Sequence, residues 1–190
     1  MKTESSLTPN ESLDLISEMI TQAKGNLKNS SFYFLLWGWV IVICNFTIYL
    51  LIKFSHYERP YLIWLITIPA WALSFLYGHK NDKNAFSVSH LDNINKWLWI
   101  SLGPALIPII YFGSSLNYQI NPLTLLITAV PTFVTGIILR FRPLIVGACV
   151  LYIFAVLSFI ADYQTQYLLG GIAMILGFLI PGYALKQQKQ

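Results

Sequence analysis

Long apolar segments alternate with short polar segments along most of the chain. A helix crosses a hydrocarbon core with roughly 17 to 25 predominantly apolar residues. Six segments reach or approach that length, so we predict an all-α integral membrane protein with six transmembrane helices. The predicted spans are 32–52, 61–78, 97–112, 122–139, 143–161 and 167–185, and the third is the shortest.

The polar segment before the first span, residues 1–31, has a helical pattern of its own. Thr8-Pro9-Asn10-Glu11 has the form of a capping box with proline at the first helical position. We predict an amphipathic helix over about residues 9–27 that ends near Gly25 or runs on toward the first span. Its apolar residues recur at alternating spacings of three and four and are called here the N-terminal stripe: Leu13, Ile16, Ile20, Ala23 and Leu27.

Something must cover an apolar stripe of this kind. The candidates are the membrane surface, the protein's own cytoplasmic loops and another chain. The polar side of the helix is acidic first and basic later, with Glu11, Asp14 and Glu18 ahead of Lys24 and Lys28. A helix that binds anionic lipid is usually basic throughout. We therefore expect the large stripe residues, Leu13, Ile16, Ile20 and Leu27, to form an interaction face for the loops or for a partner.

Charge supports the membrane assignment and orients the chain. Only 11% of the residues are charged and 56% are hydrophobic, whereas about 25% are charged in soluble domains. Lys and Arg are enriched in segments that stay in the cytoplasm. With six spans, ten of the 12 Lys and Arg residues fall on the side of the two termini, and only Lys53 and Arg59 fall on the other. We predict that both termini are cytoplasmic, including the tail 186–190.

Two arginines, Arg140 and Arg142, interrupt an otherwise apolar stretch. We interpret them as marking a tight cytoplasmic turn between the fourth and fifth spans, with Pro143 suited to the first turn of the next helix. The alternative is that they contact an anionic lipid headgroup.

No Asp, Glu or His falls inside a predicted span. Ionisable groups at membrane depth are typical of proton relays and intramembrane catalysis, so we expect neither. No catalytic motif and no cofactor site is predicted, and no nucleic-acid partner. The loop after the second span carries His79, Asp82, His90 and Asp92, but their spacing matches no metal-binding motif. We expect a hydrated loop there and no metal site.

The polar residues within the spans are amides, hydroxyls and small residues. Asn45 is the one amide deep in a span, and Thr124, Thr128, Thr132 and Thr135 share a face of the fourth span. We expect them to satisfy backbone carbonyls or to join helices. A polar path for a neutral solute, through Asn45, Thr128, Thr132 and Thr135, is the alternative. Gly170, Ala173 and Gly177 form a small-residue face in the last span, suited to close helix packing or to self-association.

The segments "FLLWGW" in the first span and "IPGY" at the end of the last span resemble those of a family of small uncharacterised bacterial multi-pass membrane proteins. A basic turn such as "LRFRPLIVGA" between late spans adds to the likeness. The resemblance implies the same topology and a bacterial cytoplasmic (inner) membrane, and it implies no activity, ligand or catalytic residue.

From these residues we expect a non-enzymatic membrane protein, a regulatory or accessory subunit that acts through helix packing and partner contacts. Its surroundings are the lipid bilayer and, through the N-terminal helix or the last span, a protein partner or a second copy. A small transporter or channel for a neutral or amphiphilic solute is the alternative.

Overall fold

The computed structural model describes residues 9–55, 59–82 and 90–187. Every element in these ranges is helical, which confirms the all-α prediction. A π-helical turn, Leu51–Ser55, ends α1, a 3-10 helix, Pro60–Ile66, precedes α2, and a second π-helical turn, Ile175–Leu179, joins α7 to α8. The α-helices are α1 (Pro9–Leu50), α2 (Thr67–Asp82), α3 (His90–Ile100), α4 (Leu102–Tyr111), α5 (Ile120–Ile138), α6 (Arg142–Ile160), α7 (Tyr163–Met174) and α8 (Ile180–Gln187).

Among the described residues, five helical segments are long and apolar enough to cross a membrane, judged by length and composition. They are Ser30–Ser55, Pro60–Lys80, Ile120–Ile138, Arg142–Ile160 and Tyr163–Gln187. These correspond to the predicted spans one, two, four, five and six. The predicted third span, 97–112, is divided between α3 and α4, which have 11 and 10 residues. Each of these alone is too short to cross a core about 30 Å thick.

The interruption between α3 and α4 has a local cause. Pro104 has no N–H to offer the carbonyl of Ile100, one turn earlier. Ser101 keeps helical dihedral angles, with φ of −63° and ψ of −18°. Its N–H donates to the Trp97 carbonyl over 2.9 Å, and its carbonyl accepts from the Ala105 N–H over 3.3 Å. The chain therefore runs on from α3 into α4 in the same general direction.

Helices α1 and α5 run in opposite directions. The ring of Phe34, early in the first candidate span, lies 5.6 Å from the ring of Trp99, and Trp99 Nε1–H donates to Thr135 Oγ1, late in α5, over 3.0 Å. Farther along α1, Asn45 Oδ1 accepts from Asn121 Nδ2 at the start of α5, over 2.9 Å. We call these two ends of the bundle the Phe34 end and the Asn121 end.

Two glycines allow α6 to touch the last candidate span backbone to backbone. Gly147 in α6 faces the carbonyl oxygen of Gly177, and a Cβ built on Gly177 would lie 2.7 Å from the carbonyl oxygen of Gly147. Pro181, four residues beyond Gly177, has no N–H for the Gly177 carbonyl. The helix there widens to π geometry, with the Ile180 N–H donating to the Ile175 carbonyl.

The outer surface of the bundle is apolar. Only 6% of an apolar 18-residue window in the candidate span Pro60–Lys80 is buried, and Phe75 and Leu76 within the span are 75% and 65% exposed. Large exposed apolar surfaces are uncommon on soluble monomers. The surface is compatible with a membrane protein, whose lipid would cover such side chains.

Helix α1 passes through the predicted boundary at residue 31 without a break. It has 42 residues and includes Gly25, so the N-terminal helix runs on into the first candidate span. A single glycine inside a helix costs only about 1 kcal/mol relative to alanine, which a long helix tolerates.

Candidate functional site

Four side-chain amides from three helices and a loop lie together at the Asn121 end. We call Asn45, Gln119, Asn121 and Gln166 the amide cluster. Asn121 Nδ2 donates to Asn45 Oδ1 and to the Gln166 carbonyl, each over 2.9 Å. Gln166 Nε2 donates to Gln119 Oε1 over 2.9 Å. The cluster therefore ties α1, α5 and α7 together at this end.

The amide cluster is largely removed from solvent. Asn45, Asn121 and Gln166 are 2%, 9% and 3% exposed, and Asn45 Nδ2 donates to the Ile41 carbonyl of its own helix over 2.9 Å. A buried amide without a partner costs about 1 to 3 kcal/mol. Mutual hydrogen bonding removes that cost here and makes α1, α5 and α7 depend on one another.

Gly170 in α7 provides the space that the amides occupy. A Cβ built on Gly170 would lie 2.6 Å from Asn121 Oδ1 and 2.8 Å from Asn45 Oδ1. The small-residue face predicted in the last span thus packs inside the bundle, since Ala173 is fully buried and Gly177 meets Gly147. Close helix packing is the role that these three positions have in the structure.

Beyond the amide cluster, further polar side chains of α5 are threonines that follow Asn121 along the helix. Thr124, Thr128 and Thr132 donate their hydroxyls to the carbonyls of Asn121, Thr124 and Thr128, over 2.7 to 2.8 Å. Each donor is used within its own helix, as is common for membrane helices. Asn45, Thr128, Thr132 and Thr135 therefore do not meet as one group: Asn45 belongs to the amide cluster, and the others follow α5.

Thr135 joins α5 to α3 at the Phe34 end. Its hydroxyl donates to Asn95 Oδ1 over 2.7 Å and accepts from Trp99 Nε1–H over 3.0 Å. Thr135 is fully buried, and the Trp99 ring lies 5.9 Å from the ring of Phe178. This contact attaches the residues of the predicted third span to the bundle.

Sequence reasoning identified Asn45 but missed its partners. Asn121 and Gln166 come one residue before the predicted spans 122–139 and 167–185, where a polar side chain is expected at the boundary between lipid and water. Only the order of the predicted spans could have indicated that these residues meet. With alternating span directions, the end of span one and the starts of spans four and six lie on the same side of the membrane.

A basic surface lies at the opposite, Phe34 end. Lys80 lies two residues after Gly78, and a Cβ built on Gly78 would lie 3.0 Å from Tyr33 Oη. Lys186 lies four residues after Gly182, and a Cβ built on Gly182 would lie 3.1 Å from Phe34 Cβ. Both lysines are therefore near the Phe34 end. Arg140 and Arg142 flank Phe141, which is 4% exposed and part of the core. We call Lys80, Arg140, Arg142 and Lys186 the basic rim, and all four are exposed.

Arg140 occupies a position where helices usually end in glycine. Its φ is 51°, and α5 closes with the Phe141 N–H donating to the Gly136 carbonyl over 2.9 Å and the Arg140 N–H donating to the Ile137 carbonyl over 3.1 Å. These bonds form a Schellman motif with arginine at C′. A left-handed conformation costs a non-glycine residue about 1 to 2 kcal/mol, so Arg140 has a backbone cost that glycine would not have.

The described residues of the loop that the sequence analysis considered as metal ligands do not form a site. His79 lies parallel to the Phe75 ring, with centroids 6.4 Å apart, and the middle of its loop, 83–89, lies outside the described residues. Within the described residues no three His, Cys, Asp or Glu side chains approach one another as metal ligands would. The side chains of the N-terminal stripe also lie outside what the structure describes, although their backbone belongs to α1.

The chain matches no protein-family model, no curated protein and no solved structure. Its class therefore follows from the fold alone: the part of the chain that the structure describes is all-helical and has five helices long and apolar enough to span a membrane.

Proposed function

We propose that this chain is a non-enzymatic integral membrane protein, a regulatory or accessory subunit that acts through helix packing and contacts with a protein partner. The observation that carries the proposal is the length of α1. It begins at Pro9 and reaches Leu50 without interruption, whereas the first candidate span begins only at Ser30. About 30 Å of helix, at about 1.5 Å per residue, thus precedes the span and carries the N-terminal stripe.

The proposal includes six crossings of the cytoplasmic membrane with both termini in the cytoplasm. It is supported by the path of the chain between α2 and α5. Asn95 and Trp99 contact Thr135 at the Phe34 end, and Gly113 lies beside Ile120 at the Asn121 end. Residues 95–113 therefore lead from one end of the bundle to the other. The exposed cations of the basic rim at the Phe34 end agree with a cytoplasmic location for that end.

The second candidate function is transport of a neutral or amphiphilic solute. It is favoured by the polar groups that extend from the amide cluster along the α5 threonines to Thr135. It is disfavoured by their hydrogen bonds, because Asn45, Asn121 and the threonines already donate to partners inside the protein. Uptake of labelled polyols into vesicles that contain the purified protein would separate transport from the preferred function.

The test of the preferred function is the size of the complex extracted from native membranes in a mild detergent. The test variant carries Ile16→Asp and Ile20→Asp, within the N-terminal stripe. The matched control carries Thr21→Asp and Gln22→Asp, which add the same charge on the other side of the helix. We expect wild type and control to migrate in a complex larger than the protein alone, and the test variant to lose it. Equal sizes for all three would contradict a partner held by the stripe.

A further inference from the structure

We infer that Arg140 and Arg142 bind the phosphate of an anionic phospholipid whose acyl chains lie along the outer sides of α5 and α6. The inference goes beyond the proposed function, because it holds with or without a protein partner. It requires only that α5 and α6 cross a bilayer, which their length and composition allow.

The turn between α5 and α6 holds both arginines at the surface. Phe141, between them, is 4% exposed and belongs to the core, whereas Arg140 and Arg142 are exposed. Their Cα atoms are at most about 7.6 Å apart, since consecutive Cα atoms lie about 3.8 Å apart. A guanidinium group presents several N–H donors in a plane that matches a phosphate. Two such groups on one short turn can therefore reach the same phosphate.

Exposed apolar side chains lead away from the turn along each helix. On α5, Ile137 and Val130 are 53% and 46% exposed, and we call them the α5 column. On α6, Val146 and Ile153 are 62% and 59% exposed, and we call them the α6 column. Residues seven apart lie within about 20° of each other around a helix. Each column therefore runs along one side of its helix, away from the arginines.

The two columns adjoin because α5 and α6 pack closely beside the turn. A Cβ built on Gly136 would lie 2.8 Å from Ile145 Cγ1 and 3.0 Å from the backbone nitrogen of Ile145. The outer sides of two helices in such close contact form neighbouring strips of one surface. A phospholipid with its phosphate at the turn can lay one acyl chain along each column.

The charge around the turn favours an anionic lipid over a zwitterionic one. The first turn of α6 carries no acidic residue. Asp162 is the acidic residue whose side chain the structure describes, and it accepts hydrogen bonds from Thr165 at the start of α7, at the Asn121 end. No described carboxylate therefore competes with a lipid for the arginines. A zwitterionic headgroup would add a cation beside two others, whereas an anionic headgroup would not.

The test measures lipid binding to the purified full chain in detergent. Phosphatidylglycerol and phosphatidylcholine with the same acyl chains are titrated, and native mass spectrometry gives the fraction of protein that carries a lipid at each concentration. We expect wild type to bind phosphatidylglycerol at least about tenfold more tightly, and Arg140→Gln with Arg142→Gln to lose that preference. The matched control, Lys80→Gln with Lys186→Gln, removes the same charge from exposed positions at the same end and should keep it.

Two further arms examine the ligand and its contacts. Glycerol phosphate, which has the charged group without acyl chains, should not displace phosphatidylglycerol at equal concentration; displacement would mean that the site binds free phosphate and would overturn the lipid. Arg140→Lys with Arg142→Lys keeps the charge but loses the paired N–H donors, so binding should weaken several-fold. Binding as tight as in wild type would contradict guanidinium contact with the phosphate.

Two results of the main titration would overturn the site itself. One is equal binding of both lipids to wild type. The other is a loss of preference in the lysine control that matches the loss in the Gln variants, because binding would then depend on the charge of the whole basic rim and not on the turn.

Discussion

At the scale of single residues, Gly170 is a position with no room for a side chain. A Cβ there would press on Asn121 Oδ1 at 2.6 Å and Asn45 Oδ1 at 2.8 Å, and both amides are held by hydrogen bonds and cannot move without breaking them. We predict that Gly170→Ala lowers the free energy of unfolding by about 1 to 3 kcal/mol, measured by denaturation in detergent. Gly103→Ala is the control, because its nearest new contact is Trp71 Cη2 at 3.7 Å, and it should be neutral or slightly stabilising. Equal effects would mean that the amides do not depend on Gly170.

Replacing Arg140 gives the opposite prediction, a gain of stability. Arg140→Gly keeps the backbone that ends α5 and removes the cost of a left-handed arginine. We predict that the free energy of unfolding, measured by denaturation in detergent, rises by about 1 kcal/mol. The control is Arg142→Gly, at the first position of α6, where glycine should not stabilise. A decrease in stability for Arg140→Gly would show that the Arg140 side chain itself stabilises the fold.

How far the sequence predicts single residues depends on where they lie within the apolar segments. Asn45 stands out because an amide in the middle of an apolar segment has few explanations. Gln119, Asn121 and Gln166 lie at the ends of apolar segments, where polar side chains are common, and only the packing of three helices shows that they meet. The left-handed conformation of Arg140 has no sequence signal, because glycine or asparagine is the usual residue there.

At the scale of helices, the contact between α6 and the last span depends on a glycine pair. A Cβ on either Gly147 or Gly177 would meet the backbone of the other, so either alanine forces the same separation of the helices. We predict that Gly147→Ala and Gly177→Ala each destabilise by about 1 to 3 kcal/mol, but that the double variant costs clearly less than the sum of the two. The measurement is a double-mutant cycle of unfolding free energies in detergent.

A second pair provides the control for that cycle. Gly171→Ala would press on the Phe46 ring of α1 at 3.0 Å, which is a different interface. Gly147→Ala combined with Gly171→Ala should therefore be additive to within about 0.5 kcal/mol. Additivity for the Gly147 and Gly177 pair as well would mean that the two glycines act independently.

Helix prediction from the sequence was most accurate where apolar segments are long and uninterrupted. Spans one, two, four, five and six correspond to helical segments of suitable length. The third was the least regular, and Pro104 accounts for its division, since the interruption falls between Ile100 and Leu102. The continuity of α1 was not decided by the sequence, because Gly25 and the polar approach to Ser30 are compatible with either an ending or a continuous helix.

At the scale of the whole molecule, the prediction concerns how many times the chain crosses the membrane. Five segments qualify by length and composition, and an odd number of crossings would place the two termini on opposite sides. The opposite directions of α1 and α5 favour the six crossings that we propose: if α1 leads outward and α2 returns, a further crossing would be needed before α5 can lead inward. Residues 90–111 are the segment available for that crossing.

Reporters that are active only in the cytoplasm, or only outside it, can be fused after residues 57, 117 and 164. We predict an external signal at all three, and a cytoplasmic signal after residues 82, 141 and 187. The decisive position is residue 117. If α3 and α4 do not cross, the turn before α5 stays on the cytoplasmic side, and Arg140, Arg142 and Lys186 move to the outside, against the usual preference for cytoplasmic cations. A cytoplasmic signal at 117 would therefore remove the six-span topology.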